Sequence, residues 1–176
     1  MQATDPSIEI VCYKSGYKGL LLGDSITVTE EMRAKAADLQ MHGGSPIGNS
    51  RVKLTNVKDC VKRGLCKEGE SPLEVCAQQL LKDGINILHT IGGDDTNTQA
   101  AVLSKYLLDE HNGKVVVVGM PKTIDNDVGV VDKSFGFESA VEAAQLALRA
   151  GKVEAEGNMP NGICVVKLMG RSAGYI

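Results

Sequence analysis

Apolar residues along this chain fall into short unbroken runs that alternate with stretches at helical spacing. Residues 8–13 and 19–22 read as strands. Residues 30–41 place Met32, Ala36, Leu39 and Gln40 at helical spacing, and Thr27 and Thr29 precede them as candidate N-caps. A glycine-rich loop, 42–50, leads into 51–57, and the charged stretch 58–70 reads as a surface connection. Ser71, Pro72 and Glu74 form a helix start, with a Ser cap, Pro at the first position and Glu three residues after the cap. That helix is expected to end near Asp83 and Gly84.

A buried strand over 85–91 follows, then a helix over 96–110 with Ala100, Leu103, Leu107 and Leu108 turned inward. Residues 114–120 contain Val115, Val116, Val117 and Val118, a run apolar on both faces of a strand and so suited to the centre of a parallel sheet. An alanine-rich helix is predicted over 137–150 and a last strand over 162–169, with a turn or helix beginning at 170–176. Strands and helices alternating at this spacing predict an α/β fold, a doubly wound, mostly parallel sheet with helices on both faces. Ligands in such sheets bind beyond the carboxyl ends of the strands. The loops after three successive strands are therefore expected on one edge.

Composition narrows the function classes. At 176 residues and 43% hydrophobic content the chain is about one domain and globular. A net charge of −3 speaks against nucleic-acid binding through bulk charge. No apolar stretch approaches the length that spans a bilayer, and the first ten residues lack the features of a signal peptide. The expectation is a soluble, cytoplasmic protein with neither nucleic acid nor membrane as partner. Cys12, Cys60, Cys66, Cys76 and Cys164 include no CxxC pair, so they are expected as small buried or half-buried residues. His42, His89 and His111 lie far apart without zinc-ligand spacing, and structural or surface roles are expected for them.

The candidate chemistry sits in the loops. Gly92 and Gly93 let backbone approach a ligand closely, and the following helix start favours phosphate. Asp94 can hold Mg²⁺ through one carboxylate, with phosphate and water completing the octahedron. Asp94, Asp95 or Thr96 can equally cap the helix. The second loop carries Lys122, Asp125 and Asp127. Asp125 can accept a proton from an attacking hydroxyl, and Lys122 can neutralise charge on a transferred group. A turn followed by a solvated tip fits the same residues. Arg171, after Met169 and Gly170, suits bidentate phosphate contact, as does Arg51, though both fit ordinary surface positions.

Taken together, Ile91 to Thr96, Pro121 to Asp127, and Met169-Gly170-Arg171 resemble the three signature loops of phosphofructokinases, in that family's order and over essentially the whole chain. The resemblance implies a Mg²⁺-dependent phosphotransferase acting on fructose 6-phosphate. It implies Asp125 as the base at the sugar 1-hydroxyl, with Lys122 and Arg171 near the moving charge, and Asp94 as the magnesium residue. Thr123 and Asp127 position sugar and phosphoryl. Gly93, Asp95, Ile124, Met169, Gly170 and Arg171 line the substrate sites, with Arg51 as a further phosphate contact.

ATP-using members of the family usually have glycine where this chain has Asp95 and Lys122, so the pair resembles the pyrophosphate-dependent branch. A carboxylate at 95 would repel the α-phosphate of ATP. An ATP-dependent enzyme and a non-catalytic regulatory subunit are the alternatives. The family pattern also includes an earlier phosphate loop and a long C-terminal half. Residues 1–176 thus resemble one partial lobe, for which little turnover in isolation is expected, and a homo-oligomer, dimer or tetramer, is expected at full length.

Overall fold

A computed structural model describes Asp5, residues 7–170 and residues 174–176. The chain forms two compact units, Met1–Thr90 with Thr98–Val118, and Ile91–Asn97 with Gly119–Ile176.

In the first unit, β1 (Val11–Tyr13) and β2 (Ser25–Thr27) pair antiparallel, with Cys12 opposite Ile26. Between them lies α1 (Tyr17–Leu22), a helix where a strand was expected. The local reason is glycine. Gly16 (φ 61°) begins the helix, and Gly23 in the left-handed region ends it, returning its N–H to the carbonyls of Gly19 and Leu20. Gly19 also has no room for a side chain: a Cβ there would collide with the carbonyl oxygen of Lys14 and lie 2.9 Å from that of Asp24. Tyr17, Leu20 and Leu21 are buried, so the apolar run packs as one face of a helical turn.

The helix expected over 30–41 is broken. α2 (Glu30–Ala34) is capped by Thr29, whose hydroxyl accepts the Met32 N–H at 3.3 Å, and a 3₁₀ segment follows over Ala36–Met41. The stretch expected as a surface connection contains α3 (Val57–Lys62), capped by the Asn56 side chain. It buries Cys60 behind a largely polar exterior, which is why its periodicity is faint.

Helix α4 (Pro72–Lys82) starts at Ser71 with Pro72 in its first turn, as predicted, but the Ser71 hydroxyl makes no capping bond. Glu74 is turned away from it. Its carboxylate accepts from Gln78 Nε2 (2.6 Å) and Tyr106 Oη (2.9 Å) and pairs with His111 Nε2 (2.9 Å). The Gln78 bond and then the His111 contact hold the Glu74 carboxyl below its ordinary range. His111 is thus structural, as expected.

Leu20, Leu54, Leu80, Leu103, Leu107, Cys60 and Cys76 form the fully buried centre of this unit. Burying each leucine contributes on the order of 2 kcal/mol. The cysteines follow expectation at Cys12, Cys60, Cys66 and Cys76, whereas Cys164 is exposed.

Strand β3 (Ile87–Gly92) leads into α5 (Asp94–His111), and β4 (Val116–Pro121) follows. Val116 N–H donates to Asn86 O at 2.9 Å and Lys122 N–H to Gly92 O at 2.7 Å. The offset is the same at both ends, so β3 and β4 run parallel. This parallel pair, with its helical crossover, carries the α/β class predicted from sequence. The valine run is not buried on both faces: Val115 is 3% exposed, but Val116 and Val118 are 56% and 39% exposed.

In the second unit α6 extends over Phe137–Gly157, longer than predicted. The strand expected over 162–169 does not form: these residues have no regular secondary structure. They run against α6, where Gly151 leaves space for the Cys164 side chain. None of the described helices is long and apolar enough to cross a membrane.

Candidate functional site

The parallel pair delivers two of the predicted loops to one place. Gly92 closes β3 and is buried, and a Cβ there would overlap the Thr96 hydroxyl, so only glycine fits. Asp94 and Asp95 are exposed in the first turn of α5, where the positive helix end favours carboxylates and phosphate alike. The second loop leaves β4 beside it. The Lys122 N–H to Gly92 O bond joins the two chains directly, and the Lys122 side chain is exposed.

Beyond Lys122 the chain turns on its own side chains. The Thr123 hydroxyl accepts the Asp125 N–H at 3.1 Å. Ile124 is half-buried with its side chain over Gly136, and Asp125 is half-buried while Asp127 is exposed. Asn126, between the two aspartates, has φ 52°. Its Oδ1 accepts from the N–H (3.0 Å) and hydroxyl (3.2 Å) of buried Ser134, just before α6. This brace forces the two flanking carboxylates into different surroundings.

Asn126→Ala is therefore expected to lower stability by about 2–3 kcal/mol. It loses the two hydrogen bonds from Ser134, together about 1–2 kcal/mol, and leaves in the left-handed region a residue without the polar side chain that suits asparagine to it, at about 1 kcal/mol. Asn126→Gly should lose only the first part. Denaturant midpoints of the two variants measure the difference, and equal midpoints would refute the strain argument.

Met169 and Gly170 follow α6 outside regular secondary structure and are exposed, Met169 to 70%. Arg171 lies outside the described residues. Arg51 is exposed in a loop of the first unit. The structure thus joins Gly92, Gly93, Asp94, Asp95 and the 122–127 loop within one unit.

Sequence reasoning missed Asn97 and Ser134. The Asn97 Nδ2 donates to Gly92 O (2.8 Å) and Gly93 O (3.0 Å). The available signal was position: a carboxamide one turn into a helix lies over the backbone that precedes it. Ser134, eight residues after Asn126, carried no such signal.

A family model described as Phosphofructokinase matches residues 1–176. The chain is 59% identical over 173 residues to the pyrophosphate–fructose 6-phosphate 1-phosphotransferase of Methylomonas methanica, covering 98% of this chain and 42% of that protein. It is 50% identical over 163 residues to ATP-dependent 6-phosphofructokinase 1 of Arabidopsis thaliana, covering 92% and 29%. Among solved structures, the pyrophosphate-dependent phosphofructokinase from Marinobacter aquaeolei has a TM-score of 0.66 at 22% identity, covering 84% of this chain and 33% of that one. The last match concerns the fold alone. The chain spans about two fifths of the length of the pyrophosphate-dependent relatives it matches.

Proposed function

The chain belongs to the phosphofructokinase family, and on that premise we propose that it carries the donor and sugar loops of a pyrophosphate-dependent phosphofructokinase. The reaction transfers a phosphoryl group from pyrophosphate to the 1-hydroxyl of fructose 6-phosphate, giving fructose 1,6-bisphosphate and phosphate, a glycolytic step. The observation that carries the reading is the Lys122 N–H to Gly92 O bond, which sets the paired-aspartate helix start against the loop bearing Lys122 and Asp125.

The chemistry follows from charge. The sugar O1 forms a bond to phosphorus while the bridging P–O bond breaks, and the leaving phosphate takes that electron pair. Asp125 accepts the proton of the 1-hydroxyl, and Lys122 offsets negative charge on the transferring group. Thr123 and Asp127 orient the acceptor and the phosphoryl, while Gly93, Asp95 and Ile124 line the substrate sites. Met169, Gly170 and Arg171 contribute sugar contacts, and Arg51 a phosphate contact.

Among the described residues no three histidine, cysteine or carboxylate side chains gather as a metal cage. That suits magnesium, which takes one or two carboxylates and leaves its other positions to phosphate and water. Asp94, exposed at the start of α5, would hold it. When bound, the ion supplies neutralisation of the donor's phosphate charge. At full length the protein is proposed to be a cytoplasmic homo-oligomer.

The 50% identity to an ATP-dependent relative favours ATP as the second reading of the donor. The full-length gene product, given fructose 6-phosphate and Mg²⁺ with either donor, decides between them. Bisphosphate formation with pyrophosphate alone is expected. Formation with ATP alone would overturn the donor assignment, and no turnover with either would overturn the assignment as an enzyme.

A further inference from the structure

Gly92 and Gly93 have no side chains to fix their peptide planes, and glycine backbone turns over more freely than any other. A peptide plane carries its carbonyl and the next residue's N–H on opposite sides. Whatever holds the carbonyls of Gly92 and Gly93 therefore aims the N–H groups of Gly93 and Asp94. Asn97 holds both: each hydrogen of its carboxamide has a carbonyl, at 2.8 Å and 3.0 Å. The Gly92 carbonyl also accepts the Lys122 N–H at 2.7 Å. The Gly92 carbonyl thus receives a donor from α5 and a donor from the loop after β4, and the Gly93 carbonyl receives the Asn97 backbone N–H (3.1 Å) beside the carboxamide.

We propose that Asn97 is the positioning residue of the pyrophosphate donor site, locking two glycine carbonyls so that the N–H groups of Gly93 and Asp94 face the donor phosphates. This rests on the donor assignment above. Asn97 itself makes no contact with substrate. Its side chain faces the inner side of the turn, and its effect passes through the backbone.

The chemistry of the contact makes the role selective. An aspartate at 97 places an acceptor against two acceptors, which repel. Once protonated it can donate to one of them. Alanine removes the side-chain donor from both carbonyls at any pH and leaves each with one backbone bond, from the Lys122 N–H to Gly92 and from the residue 97 N–H to Gly93.

The test uses the full-length gene product with Asn97→Ala and Asn97→Asp. Both should raise the KM for pyrophosphate about tenfold or more while the KM for fructose 6-phosphate stays within about twofold. The Asp variant should recover part of its pyrophosphate affinity as pH falls from 8 towards 6, and the Ala variant should not. A role in stability alone would raise both KM values together or neither, and either result overturns the proposal. Absence of turnover with pyrophosphate in the unaltered protein would instead count against the donor assignment. Amide exchange then decides for Asn97: faster exchange of the Lys122 N–H in Asn97→Ala supports it, and unchanged exchange overturns it.

Discussion

Replacing Asp125 with asparagine is expected to lower kcat by about three orders of magnitude, within the range that a positioned general base supplies. The substitution is close to isosteric. The bond from the Asp125 N–H to the Thr123 hydroxyl is made by backbone, so the turn survives it. Asn126 and Ser134 hold the loop from the other side and are untouched. What is lost is a carboxylate able to take the proton of the attacking hydroxyl. The KM for fructose 6-phosphate should change by no more than a few-fold, because asparagine still accepts a hydrogen bond from that hydroxyl. Steady-state kinetics of the full-length gene product separates the outcomes. A variant within tenfold of the unaltered kcat would remove Asp125 from the role of base and shift attention to Asp127.

The comparison of these two aspartates also marks what sequence could supply. Both are visible in the 121–127 loop, and residue type alone does not rank them. The family resemblance names Asp125 as the base, and the left-handed turn at Asn126 adds that Asp125 is half-buried while Asp127 is exposed. A φ of 52° at a non-glycine residue is set by the buried Ser134 eight residues on, a partnership with no spacing rule to reveal it. At the donor loop Gly92, Gly93, Asp94 and Asp95 are legible as a phosphate-type helix start, whereas for Asn97 position one turn into the helix is the sole signal, and its bonds to both glycine carbonyls appear in the structure.

For the fold, legibility followed the length of each periodic segment. α4, β3, α5, β4 and α6 carry long patterns or strong punctuation, and each was located. α1 is six residues, too short to distinguish a helical turn from a strand by apolar spacing, and the deciding contact is the approach of Gly19 to the Lys14 backbone. Residues 162–169 have strand composition, but a strand is a pairing between chains. The valine run at 115–118 shows the converse limit. Hydrophobic content on both faces marks what a strand can bury, whereas the number of elements packed on it decides what it does bury.

The donor assignment yields the second large effect. Asp95→Gly combined with Lys122→Gly is expected to move the ratio of kcat/KM for ATP over pyrophosphate by about a thousandfold or more. Two unit charges about 4 Å apart interact by about 4 kcal/mol at an effective dielectric near 20. Removing the Asp95 carboxylate from the exposed first turn of α5 withdraws a repulsion of that order from the α-phosphate of a nucleotide. Solvent halves it at a surface position, and about 2 kcal/mol still amounts to a factor of about 30. Removing the Lys122 ammonium withdraws a comparable attraction from pyrophosphate, which has no base or ribose to contribute binding elsewhere. The two terms act on the same ratio and multiply. Glycine at 122 keeps the N–H that binds the Gly92 carbonyl, so the junction between the loops is retained and the change is one of charge. The single variants divide the effect: Asp95→Gly should chiefly raise activity with ATP, and Lys122→Gly should chiefly lower activity with pyrophosphate. If neither single nor double replacement moves the ratio by tenfold, donor choice is made by residues elsewhere in the protein, and the electrostatic account of this pair is wrong.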